Sequence, residues 1–320
     1  PNGEAYYNRK LATYTTLPMT AEDVHQQGLS EVKRILGEMQ TIKESVGFDG
    51  DMAAFFEFIR TDPQFYYSNT DEGREGYLAD TREFLAEIDE KLPEYFGILP
   101  KAELVVKRVE EFREVDGGAQ HYFGGTPDGS RPGVYYVHMS DMSAYSKTDM
   151  ETTAYHEGSP GHHMQVSIAQ ELTGIPTFRT QADFSVYSEG WALYSELLAK
   201  EMGQFKDPYR DFGRLTAEMR RAIRLVVDTG LHAKGWSQEQ AEHFFFDNSA
   251  IPEGAVRSEV RRYLTTPGQA TSYKIGMLKI QELRKHAEET LGDRFDIRGF
   301  HDVVLGGGAL PLPMLEARVS

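Results

Sequence analysis

The residues best equipped for chemistry in this chain are gathered in Ala154-Tyr-His-Glu-Gly-Ser-Pro-Gly-His-His-Met-Gln165. Two imidazoles one helical turn apart, with a glutamate beside the first, can hold a divalent metal and activate a water. Here His156-Glu157 supplies the first half, but position 160, one turn on, is proline, and the next histidines stand at 162 and 163. On an unbroken helix a residue six places on points about 240° away and ~9 Å along the axis, too far for one ion. Pro160-Gly161 alters that expectation, because proline interrupts the hydrogen-bond ladder and glycine accepts backbone angles that other residues avoid. A two-residue bulge there would return His162 to the place of a normal second ligand. Replacing the pair by Ala-Ala is then expected to favour continuous helix and spoil the site.

A third ligand has to come from elsewhere, and a carboxylate on a following helix is the natural source. Ser188-Glu-Gly-Trp-Ala-Leu-Tyr-Ser-Glu196 offers Glu189, 33 residues after His156. His156, His162 and Glu189 then give three protein ligands and leave a fourth position open, the arrangement of catalytic zinc. Glu157, turned about 100° from His156 on a helix, faces the water position and is the expected general base. Glu196 lies two turns beyond Glu189 on the same face, where it can orient a ligand. A lone histidine on a helix is usually structural and a lone glutamate usually solvated. The combination resists that explanation, since a proline inside a helical pattern costs ~3 kcal/mol or more unless something uses the break.

Attack of water on a carbonyl builds an oxyanion, and a donor opposite the metal is worth a factor of ~10² to 10³. Tyr273, in a Gly- and Pro-punctuated segment, is the first candidate, and His232, held by Asp228 in Asp228-Thr-Gly-Leu-His232, is the second. Arg262 offers a planar fork to a substrate carboxylate. Each also has an ordinary role open to it: a buried hydroxyl on backbone, a helix-terminal histidine, a surface ion pair. The run Val134-Tyr-Tyr-Val137 either offers its edge to an extended peptide or is a paired inner strand.

The elements that must carry these residues read as mostly helical. Thr20-Ala-Glu-Asp23 has the form of a capping box opening a helix from Val24 through Met39, with Leu29, Val32, Leu36 and Met39 on one face. Asp51 to Ile59 and Thr81 to Leu92 repeat the pattern, with Phe55, Phe56, Phe58, Ile59, Phe84, Leu85 and Ile88 as core candidates. Leu104-Val-Val-Lys-Arg-Val109 and Gly133-Val-Tyr-Tyr-Val137 read as strands around a turn-rich segment. From Thr148 the helical pattern returns, punctuated at Pro176, Gly230, Pro252 and Pro267. No linker divides the chain, so the expectation is a single domain over 1–320: helical over 1–100, a small sheet over 101–147, and helical with the metal site over 148–320.

Composition narrows the function. With 40% hydrophobic and 12% aromatic residues the chain is globular. A net charge of −16, from 34 basic and 50 acidic residues, argues against nucleic-acid binding. No window is apolar enough to span a bilayer, and no basic segment followed by an apolar stretch reads as a signal peptide. Zero cysteines leave any metal to His and carboxylate, and allow a cytoplasmic or an exported protein alike.

The segment His156-Glu-Gly-Ser-Pro-Gly-His162 resembles the H-E-x-x-P-G-H signature of a large, mostly bacterial family, domain-of-unknown-function family 885, read as gluzincin-like zinc hydrolases. Asn2 to Tyr7, Thr15-Thr16 with His25-Gln-x-Gly28, Asp228-Thr-Gly-Leu-His232, Arg262-Tyr263 with Pro267-Gly-Gln-Ala270, Tyr273-Lys-Ile-Gly276 and Gly306 to Ala317 resemble the same family, so the likeness runs along the whole chain. It implies a zincin-like metallopeptidase fold, with His156, His162 (not His163) and Glu189 on zinc and Glu157 as base. The Glu-Gly-Trp segment is also similar to the Asn-Glu-Gly-Phe-Ala segment of aminopeptidase-type gluzincins, whose Glu binds zinc. Members of the family tend to be far longer, with a helical region ahead of the point where this chain begins. The chain then corresponds to the C-terminal catalytic half, its cleft completed by a missing N-terminal region or a second polypeptide. The expected function is zinc-dependent hydrolysis of a peptide. Hydrolysis of another amide or ester, or a non-catalytic scaffold with a vestigial metal site, are the competing readings.

Overall fold

The structure, a computed structural model, describes residues 2–320. Helix starts follow the sequence's polar signals. Thr20 and Asp23 close the expected capping box on α2 (Ala21–Ser45), which follows α1 (Gly3–Thr15). Asp51 caps α3 (Met52–Thr61), and Thr70 caps α4 (Asp71–Asp89), ahead of the single turn α5 (Leu92–Tyr95). On α2 the buried face runs through Val24, Gly28, Val32, Ile35 and Met39, whereas Leu29 is exposed. The buried face is turned from the apolar stripe toward Gly28, where a Cβ would meet Leu225 and Val226 of the helix over Pro208–Ala233 at 2.7 and 2.8 Å.

The sheet has three strands in the order β1-β3-β2: β1 (Leu104–Arg108), β2 (His121–Phe123) and β3 (Gly133–Val137). β1 runs parallel to β3, with Val106 opposite Tyr135, and β2 runs antiparallel, with Tyr122 also opposite Tyr135. Val134-Tyr-Tyr-Val137 is therefore the paired inner strand and offers no open edge. The edges belong to β1 and β2.

The second helical region holds α6 (Lys147–Glu157), α7 (His162–Glu171), α8 (Ser185–Glu201) and α9 (Pro208–Ala233). It continues through α10 (Gln238–Asn248), α11 (Glu253–Thr265), α12 (Ser272–Leu291), α13 (Ile297–Leu305) and α14 (Leu312–Val319). Gly230 does not break the chain, contrary to expectation. It lies inside α9, where a Cβ would meet the Trp236 indole at 2.6 Å. The molecule is thus mainly α with a small β-sheet.

Two apolar clusters organise the packing. One joins α4, the sheet, α6, α8 and α12–α14 around Tyr135, Tyr155, Trp191 and Ile280. The other joins α2, α3 and α9–α11 around Phe55, Phe212, Ile223 and Phe245. Helix α6 packs on α8 and α9, and α8 packs on α12. The last contact is close: a Cβ on Gly190 would fall 2.5 Å from the Gly276 Cα, and one on Gly276 would fall 1.9 Å from the Val186 carbonyl. No helix among the described residues is long and apolar enough to cross a membrane.

Candidate metal centre

The break expected at Pro160-Gly161 is larger than a bulge. Helix α6 stops at Glu157, α7 starts at His162, and the four residues between turn the chain so that the two histidines converge. Gly158 caps α6 through its N–H to the Ala154 carbonyl, and the Ser159-Pro160 peptide is cis. Helix α8 holds this turn in place: Trp191 Nε1 donates to the Pro160 carbonyl at 2.8 Å and Ser195 Oγ to the same oxygen at 3.3 Å. Only glycine fits at 161, since a Cβ there would sit 2.1 Å from the His156 carbonyl oxygen and 2.3 Å from that of Tyr155.

The outcome is a trio. Ligand atoms of His156, His162 and Glu189 all lie within 4.8 Å of one another, and this is the group among the described residues that could hold a metal. His156 Nε2 and His162 Nε2 stand 3.5 and 3.4 Å from Glu189 Oε2, with the two rings nearly perpendicular at 88°. Neither contact is a hydrogen bond, and Glu189 Oε2 is buried without a partner. Ligand atoms on a tetrahedral ion at ~2.0–2.1 Å stand about 3.3–3.4 Å apart. The spacing thus fits a small cation, and an orphaned buried carboxylate oxygen is what such a cation would satisfy. The metal-free electrostatics agree in sign. Burial alone would raise the Glu189 carboxyl, but the two histidines hold it well below the usual carboxylate range. Burial alone would lower His156, but Glu189 and Glu196 raise it to about 9.

Outer contacts orient the trio. His156 Nδ1 bonds Glu196 Oε1 at 2.7 Å, which leaves Nε2 for the trio, and the other Glu196 oxygen accepts from Thr152 at 2.9 Å. Glu157 is buried beside the trio without belonging to it. Its Oε2 accepts the backbone N–H of Tyr122, on edge strand β2, at 2.7 Å. Glu189 and His162 keep side-chain exposures of 21% and 16%, so the trio can be reached from solvent.

The remaining candidates divide. Tyr273 opens α12 beside the trio, its ring 4.7 Å from the Arg224 guanidinium. Burial and then the Glu189 charge push its hydroxyl pKa up, so it holds its proton. His163 points away, into Ala102 and Tyr122. Arg262 has its fork occupied by Glu259 and Gln269. His232 donates to or accepts from nothing in the trio; its Nε2 meets the Tyr263 carbonyl at 3.0 Å, roughly 16 Å along α9 from Arg221. Asp228 does not hold it, because that carboxylate takes the Tyr7 hydroxyl at 2.6 Å and the Gly268 N–H at 3.0 Å.

Sequence reasoning missed Arg220, Arg221 and Arg224 on α9. The signal was available: three arginines in five residues of a strongly amphipathic helix, whose buried face also carries Asp228. It also missed the backbone of Tyr122, which no side-chain pattern could reveal. Two surface cavities, one bounded by Tyr194, Arg284 and Glu288 and one by Arg113, Phe123, Arg131 and Tyr136, contain none of the trio.

The family described as "Bacterial protein of unknown function (DUF885)" matches residues 1–319. A crystal structure described as that of the "putative lipoprotein" from Colwellia psychrerythraea superposes with a TM-score of 0.96 at 39% identity, over 100% of this chain and 55% of that one. A "putative lipoprotein of unknown function" from Shewanella oneidensis shares the fold, with a TM-score of 0.83 at 22% identity over 98% of this chain and 59% of that one. This chain therefore spans little more than half the length of these solved relatives. No curated protein matches.

Proposed function

The chain belongs to the bacterial DUF885 family, and within it we propose that this protein is a zinc-dependent hydrolase, a metallopeptidase with a zincin-like fold. The observation that carries the reading is the orphaned Glu189 Oε2, set 3.4–3.5 Å from two imidazole nitrogens, with Glu157 buried alongside and uninvolved in the trio. A ligand set needs no adjacent carboxylate of that kind, whereas hydrolysis does.

His156, His162 and Glu189 would hold the ion, and Glu196 fixes the His156 tautomer that presents Nε2. Zinc supplies Lewis acidity toward a carbonyl oxygen and a water. Glu157 takes the proton from the attacking water and returns it to the leaving amine. The Tyr122 N–H holds one Glu157 oxygen, which keeps the carboxylate in place through both transfers. Tyr273, still protonated, donates toward the oxyanion.

Elemental analysis of the purified protein should give about one zinc per chain, and a mixed-peptide digest should show cleavage. Glu157→Gln should keep the zinc and lose ~10²- to 10⁴-fold in turnover. Wild-type turnover in that variant would remove the assigned base, and with it the mechanism.

A further inference from the structure

We infer that Arg220, Arg221 and Arg224 form a carboxylate-binding subsite beside the trio, and that it takes the free C-terminal carboxylate of a short peptide. The inference rests on the hydrolase reading above and specifies its substrate.

The starting point is a surplus of guanidinium. Arg220, Arg221, Arg224 and Arg262 are grouped on α9 and the end of α11, against the carboxylates of Asp149, Glu196 and Glu259. Glu259 is spent on Arg224 Nη2 at 2.7 Å and on Arg262. Glu196 is spent on His156 and Thr152, and Arg221 approaches it only to 3.7 Å. Arg220 has no ion-pair partner within 4.0 Å among the described residues. Arg220 Nε, Arg221 Nε and Arg224 Nη1 are buried without any hydrogen-bond partner. Arg224 is itself 93% buried by exposure (7% exposed). Orphaned charged donors are costly to bury, and three within five residues of one helix call for an anion that completes them. Burial and the neighbouring Arg221 charge push the Arg220 pKa down, the sign expected where cations crowd without enough counter-charge.

The location fixes what the anion belongs to. The Arg221 guanidinium is one contact from Glu196, which in turn holds His156. The Arg224 guanidinium lies over the Tyr273 ring at 4.7 Å, and the Tyr273 hydroxyl feels the Glu189 charge. The Arg221–Glu196 and Glu196–His156 contacts of 3.7 and 2.7 Å leave one side chain between the arginines and the trio, and an extended peptide, which advances ~3.3 Å per residue, bridges such a gap with its last few residues. A guanidinium fork matches a carboxylate in plane and spacing, which an amide does not replace; Arg220 keeps its whole fork, while Arg221, bonded to the Ala217 carbonyl, and Arg224, bonded to Tyr263 and Glu259, add the unpartnered Arg221 Nε and Arg224 Nη1. Arg262, the sequence's own candidate for this task, is already occupied.

The test uses zinc-loaded protein and three matched N-acetylated tripeptides: one ending in a free carboxylate, its carboxamide, and a carboxamide whose last residue is Glu. Both kcat/KM and calorimetric Kd are measured. The free acid should be preferred over both amides by about tenfold or more, the scale of a charge-assisted pair. Arg220→Gln, which breaks no hydrogen bond of the fold, should bring that ratio to within about twofold through KM. Arg224→Gln should do the same, with circular dichroism confirming the fold. Equal hydrolysis of acid and amide by the wild type would overturn the subsite and leave the hydrolase standing. A Glu-bearing amide that matches the free acid would overturn the C-terminal assignment. If no peptide is cleaved, the Kd values decide: a tenfold acid preference that Arg220→Gln removes keeps the subsite while the peptidase reading fails, and equal Kd values sink both.

Discussion

The two adjacent histidines make opposite predictions, and their contacts set the magnitudes. His163 is 3% exposed, and burial pushes its pKa down to about 4, so the ring is neutral at pH 7. A neutral imidazole has one donor and one acceptor. Both are used here, with Nε2–H donating to the Ala102 carbonyl at 3.1 Å and Nδ1 accepting from the Tyr122 hydroxyl at 3.2 Å. No lone pair is left for a metal. His163→Ala therefore strands two polar groups and empties a buried site, a loss of ~2–5 kcal/mol. In a chain of this length that lowers Tm by roughly 3–7 °C. Zinc content should stay near wild type in the protein that remains folded. His162 is the mirror case. Its ring touches Glu189 at 3.4 Å, hydrogen-bonds nothing, and is partly open to solvent. His162→Ala should leave the metal-free Tm within a degree or two and weaken zinc by more than the ~10- to 100-fold typical of losing an outer contact. Calorimetric melting of chelator-treated protein and zinc titration with a competing chelator read both quantities. Loss of zinc in His163→Ala with retention in His162→Ala would refute the ligand set outright.

Four further outcomes follow from the contacts of individual residues. Gly161→Ala drives a Cβ to 2.1 Å from the backbone oxygen of His156, so it should cost ~1–3 kcal/mol or more and lose zinc; an unchanged Tm would mean the close approach is not real. The same contact makes Pro160-Gly161→Ala-Ala destabilising, although helix propensity alone would favour it. Glu196→Gln can still accept from Thr152 but no longer polarises His156 Nδ1, and zinc affinity should fall ~10- to 100-fold, which a competition titration would detect or disprove. Burial would raise the Glu218 carboxyl from its ordinary 4.5, but Lys274, Arg34 and Arg214 hold it at about 2. Its folded pKa lies below the unfolded one, so its stabilisation is present above pH ~4.5 and is lost as pH falls toward ~2. The unfolding free-energy gap between wild type and Glu218→Gln should shrink by about 3 kcal/mol between neutral pH and pH ~2; a gap that has not narrowed by pH 2.5 would refute the assignment.

Much of this was legible because local chemistry and global packing agree. The Thr20-Asp23 box, the Asp51 and Thr70 caps and the two β-branched runs sit where their residue types demand. His156, His162 and Glu189 also converge as their spacing led one to expect, being residue types that a core excludes. What escaped is whatever depends on a partner far away in sequence. Leu29 reads as apolar, yet the buried face of α2 is set by where Gly28 meets α9. Gly230 reads as a stop, yet the Trp236 ring uses its bare Cα inside α9. His232 and Asp228 are four residues apart and look like a pair. Asp228 instead ties α1 to the loop before α12 through Tyr7 and Gly268, contacts made across 221 and 40 residues.

The same long-range logic explains why a helix break, ordinarily a defect, can be the rigid part of this site. His156 ends α6, His162 begins α7 and Glu189 lies on α8, so three separate backbones must be fixed relative to one another. The Pro160 carbonyl does this. It has no intrahelical partner, being outside both helices, and it takes Trp191 and Ser195 from the helix that carries Glu189. The break and Glu189 are thereby joined by two hydrogen bonds from buried side chains on one rigid element. On its far side α8 is held to α12 by the Gly190–Gly276 contact, which brings Tyr273 to the same place. A continuous helix through residues 158–161 would bond the Pro160 carbonyl within itself and leave the Trp191 indole N–H buried with no acceptor. The turn is therefore retained for a reason that extends beyond the histidines. The fold positions the trio through backbone carbonyls and glycine contacts, and these are the features a residue pattern records least.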